Sequence, residues 1–233
     1  MLYRGQTLLE LMLSLTLSSF LLLTMIGFYN YSQQQNREIL QRLQLQAELQ
    51  RAVQLIGKDL RRAGFRAVSD KVVSGNFHLF AQDGNINSLT INQGSSCVLF
   101  FYDLDMNGCI GTKFKNGICA ENNKNATQEI ERELFGYRLN NNMLETRLTY
   151  KNAVNQNCEQ EQCRRYIQQS ACNGGGWTDV LDEKEYEITQ LKFNWLAERK
   201  GIEVLLSGNL SDNKDIRYDT SIVVPLLNIE DGR

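Results

Sequence analysis

From Leu11 to Tyr31 the chain carries no charged side chain. The run LMLSLTLSSFLLLTMIGFYNY is long enough to cross a hydrocarbon core of ~30 Å as an α-helix. Arg4 precedes it, and Arg37 is the next charge beyond it. A basic residue ahead of a first span favours a cytoplasmic amino terminus. Phe28, Tyr29 and Tyr31 form an aromatic group suited to the far interface. The residues that follow, GFYNYSQQQ, lack the small-x-small site of a cleaved secretory signal. One carboxylate, Glu10, stands at the very start of the apolar run. At bilayer depth it would cost on the order of 3 kcal/mol and mark a functional position; at headgroup depth it would cost little.

Beyond the span the period changes but the helix does not stop. No proline interrupts residues 6–66. Leu45, Leu49, Ala52, Ile56, Leu60 and Ala63 follow one another at spacings of three and four, which is one face of an α-helix. Gly64 is placed to cap it. A continuous helix over 6–63 would be about 87 Å long. After Gly64 the pattern becomes short alternating runs rich in β-branched and aromatic residues. These predict strands at Phe77–Ala81, Ser88–Asn92, Cys97–Tyr102, Leu134–Leu139, Met143–Tyr150, Tyr186–Leu196, Ile202–Ser207 and Arg217–Leu226. Asn140, Asn141 and Asn142 make a hairpin turn between two of them. Pro225 assigns the last strand to a sheet edge. Residues 152–176 are polar and cysteine-rich and read as a loop insertion. The fold class is α+β, a long helix laid on an antiparallel sheet.

Charge divides the chain at the same place. Of 25 basic and 27 acidic residues, residues 1–66 hold eight basic and four acidic, a balance of +4. Seventeen basic and twenty-three acidic residues remain, a balance of −6. Near-neutral overall charge makes no case for nucleic acid. All six cysteines lie in the acidic part, at Cys97, Cys109, Cys119, Cys158, Cys163 and Cys172. On an exported domain they argue for disulfides in an oxidising compartment. Proximity pairs Cys109 with Cys119 and two of Cys158, Cys163 and Cys172 with each other, leaving Cys97 for the last. Zinc is the alternative, but no C-x-x-C pair is present and the only histidine is His78.

Gly5-Gln6-Thr7-Leu8-Leu9-Glu10-Leu11 resembles the type IV prepilin signature. In that signature a short basic leader ends in glycine, and a glutamate follows five residues later inside the apolar stretch. Lys58-Asp59-Leu60-Arg61-Arg62-Ala63-Gly64-Phe65 is similar to the end of the stem helix in W-type minor pilins and in the J-type pseudopilins of type II secretion. The resemblance implies a pilin-like fold divided into a leader (1–5), a transmembrane half-helix (6–31), an amphipathic stem (32–65) and a periplasmic β-rich head (66–233). It implies cleavage between Gly5 and Gln6 by prepilin peptidase, and N-methylation of Gln6, although glutamine stands where most members have phenylalanine or methionine. Glu10 would pair with the N-terminal ammonium of a neighbouring subunit and set register, because an unpaired charge in a dry helix bundle is costly.

The family reading places the chain in the bacterial inner membrane, single-pass, N-terminus cytoplasmic, and at a pilus or pseudopilus tip after assembly. Its partners would be other minor pilins, a major pilin or pseudopilin, prepilin peptidase and the inner-membrane assembly platform, with no cofactor. The rival reading is an uncleaved signal-anchored periplasmic binding or sensory domain. No enzyme motif is present: no P-loop, no nucleophile elbow and no Ser/His/Asp set can be drawn from this sequence. Asp103-Leu104-Asp105-Met106-Asn107-Gly108 opens like a calcium loop, but Phe114 occupies the position of the bidentate glutamate. Asp103, Asp105 and Asn107 are therefore read first as a turn, with weak calcium binding as the alternative. Arg61 and Arg62 complement the helix dipole. The sequons at Asn125 and Asn209 matter only in a eukaryotic secretory pathway.

Overall fold

The computed structural model describes residues 8–81, 88–147 and 154–228. Helix α1 runs Leu8–Leu60 over 53 residues. It is rich in Leu and Gln, both good helix formers, and the Glu38–Arg42 and Glu48–Arg51 pairs lie one turn apart along it. The molecule divides into two units after Gln44. Within the first unit, Glu10 is the one charged residue of α1 between Leu8 and Tyr31, and the large apolar side chains of that stretch are exposed on every side, from Leu8 at 78% to Tyr31 at 60%; residues 32–38 are polar. Ser14, Thr16, Ser18, Ser19 and Thr24 turn their hydroxyls back onto main-chain carbonyls three or four residues earlier. The helix thereby hides its own polar groups, as a segment surrounded by hydrocarbon must.

The second unit begins at Leu45, where α1 acquires a buried face. Leu45, Leu49, Ala52, Val53, Ile56 and Leu60 are all buried, which includes five of the six positions picked out by the helical spacing; the sixth, Ala63, is buried just beyond the helix. The turn that follows α1 closes at Gly64, whose φ of +77° admits glycine; a Cβ there would lie 2.5 Å from the Ser88 hydroxyl and 2.8 Å from the Asn228 carbonyl. The Gly64 N–H donates to the Phe101 carbonyl and so fastens the helix end to the sheet.

Among the described residues, two further short helices, α2 (Phe77–Phe80) and α3 (Gln160–Arg164), accompany ten strands. The strands are β1 (Leu89–Ile91), β2 (Cys97–Phe101), β3 (Ala120–Glu121), β4 (Lys124–Asn125), β5 (Leu134–Asn140), β6 (Met143–Arg147), β7 (Trp177–Asp179), β8 (Tyr186–Trp195), β9 (Gly201–Leu210) and β10 (Arg217–Pro225). They form a five-stranded sheet in the order β1-β2-β5-β6-β7, a three-stranded sheet β10-β9-β8, and the β3-β4 ribbon. All pairings between these strands are antiparallel. The α+β reading therefore stands. β5 and β6 are joined through Asn141 and Asn142, both at positive φ, the conformation a tight two-residue hairpin demands. Pro225 closes β10, an edge strand whose ladder it does not interrupt.

β2 explains how the core is organised. All five of its residues are buried, because both faces are covered. Val98 and Phe100 join a cluster with the α1 face, Tyr137, Leu144, Phe193, Val204 and Leu206. Cys97, Leu99 and Phe101 point the other way, into a cluster with Phe77, Phe80, Ile130, Leu134 and three more cysteines.

Three expectations are corrected. Phe77–Ala81 is not a strand but a single helical turn, α2. Buried Asn76 exchanges hydrogen bonds with Ile110 at 2.7–2.8 Å and anchors the start of that turn, and Phe80 is buried beside Phe77 and Leu79, which alternation alone would have turned outward. Of the 152–176 insertion, the described part holds α3 and two 3-10 turns rather than irregular loop. β3, β4 and β7 are strands of two or three residues, too short to show a period. The predicted end of β6, residues 148–150, lies outside the described residues.

Candidate functional site

Gly5 and Gln6, the expected cleavage point, lie outside the described residues. Glu10 lies in the first turns of α1, flanked by Leu8, Leu9 and Leu11, which are 78%, 72% and 53% exposed. No residue of the most apolar stretch of α1 is buried within the chain. A helix hydrophobic on every side is stable only in lipid or among other apolar helices. It is a large surface whose chemistry demands a partner phase.

Within the second unit, the end of α1 and the turn after it are held to the sheets by a few specific contacts. The Tyr137 hydroxyl donates to the Asp59 carboxylate at 2.6 Å. Burial, and then the Asp59 charge, push the tyrosine's pKa upward and keep it a donor. The Arg62 guanidinium lies 5.9 Å from the centre of the Tyr102 ring, which stacks on Phe135 at 4.2 Å. Gly57 lets β10 close on the helix: a Cβ there would meet Ile222 at 2.9 Å.

The structure joins Cys97 to Cys172, Cys109 to Cys119 and Cys158 to Cys163, leaving no thiol for zinc. The first of these ties the α3 region to the edge of β2. Arg138 reinforces it from the next strand: it pairs with Glu145 at 2.5 Å, donates to the Cys172 carbonyl, and lies 4.6 Å from the Trp177 ring centre. His78 is exposed on α2, and its main-chain carbonyl accepts from the Gln160 side chain.

Asp103 and Asp105 do come together, and Glu133 joins them, with one oxygen from each within 4.8 Å of the others. The sequence drew attention to Phe114 for a third carboxylate and missed Glu133, whose only signal is an acid in the apolar spacing Ile130–Glu133–Leu134. The arrangement is spent on the backbone. Asp103 accepts the N–H groups of Ala67, Asn107 and Gly108. Glu133 accepts those of Leu104, at 2.7 Å, and Gly111, at 2.6 Å. The Asn107 side chain accepts from Cys109 and donates to Gly111. These bonds knit residues 67 and 103–111 together, which is the turn reading. Burial first, and then the neighbouring aspartates, raise the Glu133 pKa to about 7 against its backbone donors. Burial also raises that of Asp105. The two sequon asparagines are buried and used internally: Asn125 donates to Thr127 and Gln156, and Asn209 to Glu187.

The family described as prepilin peptidase-dependent protein B matches residues 38–226, which takes in the lower part of α1 and both sheets. An uncharacterized protein of Haemophilus influenzae is 52% identical over 233 residues, covering 97% of this chain and 98% of its own length. No solved structure matches. With the match spanning most of the chain and the pilin-like α+β architecture beneath it, the chain belongs to the prepilin peptidase-dependent protein B family.

Proposed function

We propose that this chain is a minor pilin, or pseudopilin, that assembles with other minor subunits to initiate or cap a type IV pilus or a type II secretion pseudopilus. The observation that carries the reading is α1 itself: a helix apolar on all sides from Leu8, with one carboxylate, Glu10, near its start and a family named for its dependence on prepilin peptidase. Before assembly the helix anchors the chain in the inner membrane. Prepilin peptidase cuts between Gly5 and Gln6, and Gln6 becomes the new, methylated terminus. In the filament the helices pack side by side, and Glu10 pairs with a neighbour's ammonium. The function is assembly rather than catalysis, and its partners are pilin-type subunits and the membrane platform that polymerises them.

Co-expression with a prepilin peptidase tests this directly. Mass spectrometry should find the mature chain beginning at Gln6, and Gly5→Leu should leave it uncut. A wild-type chain that stays full length in the presence of active peptidase refutes the proposal and favours a plain signal anchor. Glu10→Ala should leave cleavage intact and abolish co-purification with partner pilins.

A further inference from the structure

The outer face of the β8–β10 sheet carries a groove that the assembly reading leaves unused. Val204 and Leu206 of β9 face α1, so their neighbours Leu205, Ser207 and Asn209 face away, together with the residues opposite them on β8 and β10. The turn between β1 and β2 overhangs this face, held there by the Phe193 N–H donating to the Ser95 carbonyl. The groove between them has a volume of about 630 Å³. Three cations line it, Lys192, Lys214 and Arg217, with a single acid, Asp219.

The cations are not equivalent. Lys214 is paired with Glu187 at 2.9 Å. Lys192 and Arg217 are exposed, and among the described residues neither has an ion pair, with Asp219 or with any other acid. Lys192 stands opposite Leu205, and Arg217 opposite Asn209. Two strand spacings across and four residues along therefore separate their Cα atoms by about 17 Å. A single phosphate or citrate reaches both only if the two side chains turn toward each other across the groove. In an extended peptide, residues four apart and on one face lie about 14 Å from each other, and the long lysine and arginine side chains span the remainder. Between the cations lie Gln190 and Ser207, neutral groups that hydrogen-bond to a main chain. Asp219, opposite Ser207, sets the one place where a second carboxylate is repelled, and so fixes register.

We propose that this groove binds an extended acidic segment of a partner chain, with two carboxylates about four residues apart meeting Lys192 and Arg217. Two unpaired cations on the part of the chain whose balance is −6 are a local exception to its charge, and complementarity of this kind selects partners and speeds their encounter. The proposal stands independently of cleavage at Gly5: an uncut chain would still have the groove.

The test uses the full chain in neutral detergent and a fluorescein-labelled octapeptide of serine with glutamate at positions 2 and 6, read by anisotropy. Saturable binding is expected, weakened by raising the salt. Lys192→Gln with Arg217→Gln should weaken it about tenfold, and Asp219→Asn should tighten it about threefold. A purely structural role for these exposed side chains would move neither, and far-UV circular dichroism should be unchanged in both variants. A peptide with glutamine in place of glutamate should fail to bind, and citrate and phosphate should fail to compete. Absence of saturable binding, equal binding of the glutamine peptide, displacement by citrate or phosphate, or variants indistinguishable from wild type would each overturn the proposal.

Discussion

The disulfide between Cys97 and Cys172 should contribute more stability than either of the others, and the reason is topological. In the chain-entropy account a cross-link stabilises by removing conformations from the unfolded chain, and its effect grows with the logarithm of the loop it closes. A sequence separation of 75 gives about 4.5 kcal/mol. The separations of 10 and 5 in the other two give about 2.8 and 2.2 kcal/mol. All six cysteines are at most 5% exposed, so replacing either partner pair by alanine removes similar buried volume, and the loop length is what differs. Urea titration of the three double-alanine variants, full length in detergent, should therefore rank them in that order. Trp177 packs beside the cysteine cluster and Trp195 beside the α1 cluster. Intrinsic fluorescence consequently follows both. An unfolding free energy of 5–15 kcal/mol is usual for a domain, so loss of the first bond would remove a large share of it. Equal costs for the three pairs, or a smaller cost for Cys97 and Cys172 than for Cys109 and Cys119, would refute the reasoning.

Glu133 should make stability fall as pH rises. Its folded pKa, about 7, lies above the usual carboxylate value of 4.5, so between those two values the folded chain binds the proton that the unfolded chain has lost. Stability present below pH 4.5 is then lost progressively up to pH 7, by up to about 3 kcal/mol; urea midpoints across that range should show the decline, and Glu133→Gln should flatten it. Tyr137→Phe should cost about 1 kcal/mol, and a double-mutant cycle with Asp59→Ala should recover a coupling of that size; no coupling would mean that the hydroxyl is not what holds α1 to β5. Gly57→Leu should destabilise by about 1–3 kcal/mol, because Ile222 and Val224 already occupy the space, and thermal melts followed by circular dichroism would detect it.

The elements were legible in the sequence wherever they were long enough to repeat. α1 runs through 53 residues, and its buried face follows the three-and-four spacing from Leu45 to Leu60. β2, β5, β8 and β10 lie within a residue or two of the alternating runs that predict them, and β9 extends beyond its run at both ends. Pieces of two or three residues, such as β3, β4 and β7, carry no period at all and form only because a longer neighbour offers them a ladder. Phe77–Ala81 misleads for the same reason in reverse: alternation over five residues cannot be told from one turn of helix, and the partner that holds the Asn76 side chain at its start, Ile110, is supplied from 34 residues away.

What the amino-acid order determined by itself is local: an apolar helix with one carboxylate at its start, a helical face in its lower half, strands after Gly64, and a chain split into a basic anchor and an acidic, cysteine-bearing remainder. These follow from neighbours a few residues apart, where period and charge can be counted. Tertiary structure alone decided the rest. It brought Glu133 onto Asp103 and Asp105 and spent all three on backbone N–H groups, tied Cys97 to Cys172 across 75 residues, and set Lys192 and Arg217 on one face of a sheet. Each of these joins residues that no short-range spacing relates, and what places them is the burial of β2 between two cores, which fixes where every strand beside it must lie.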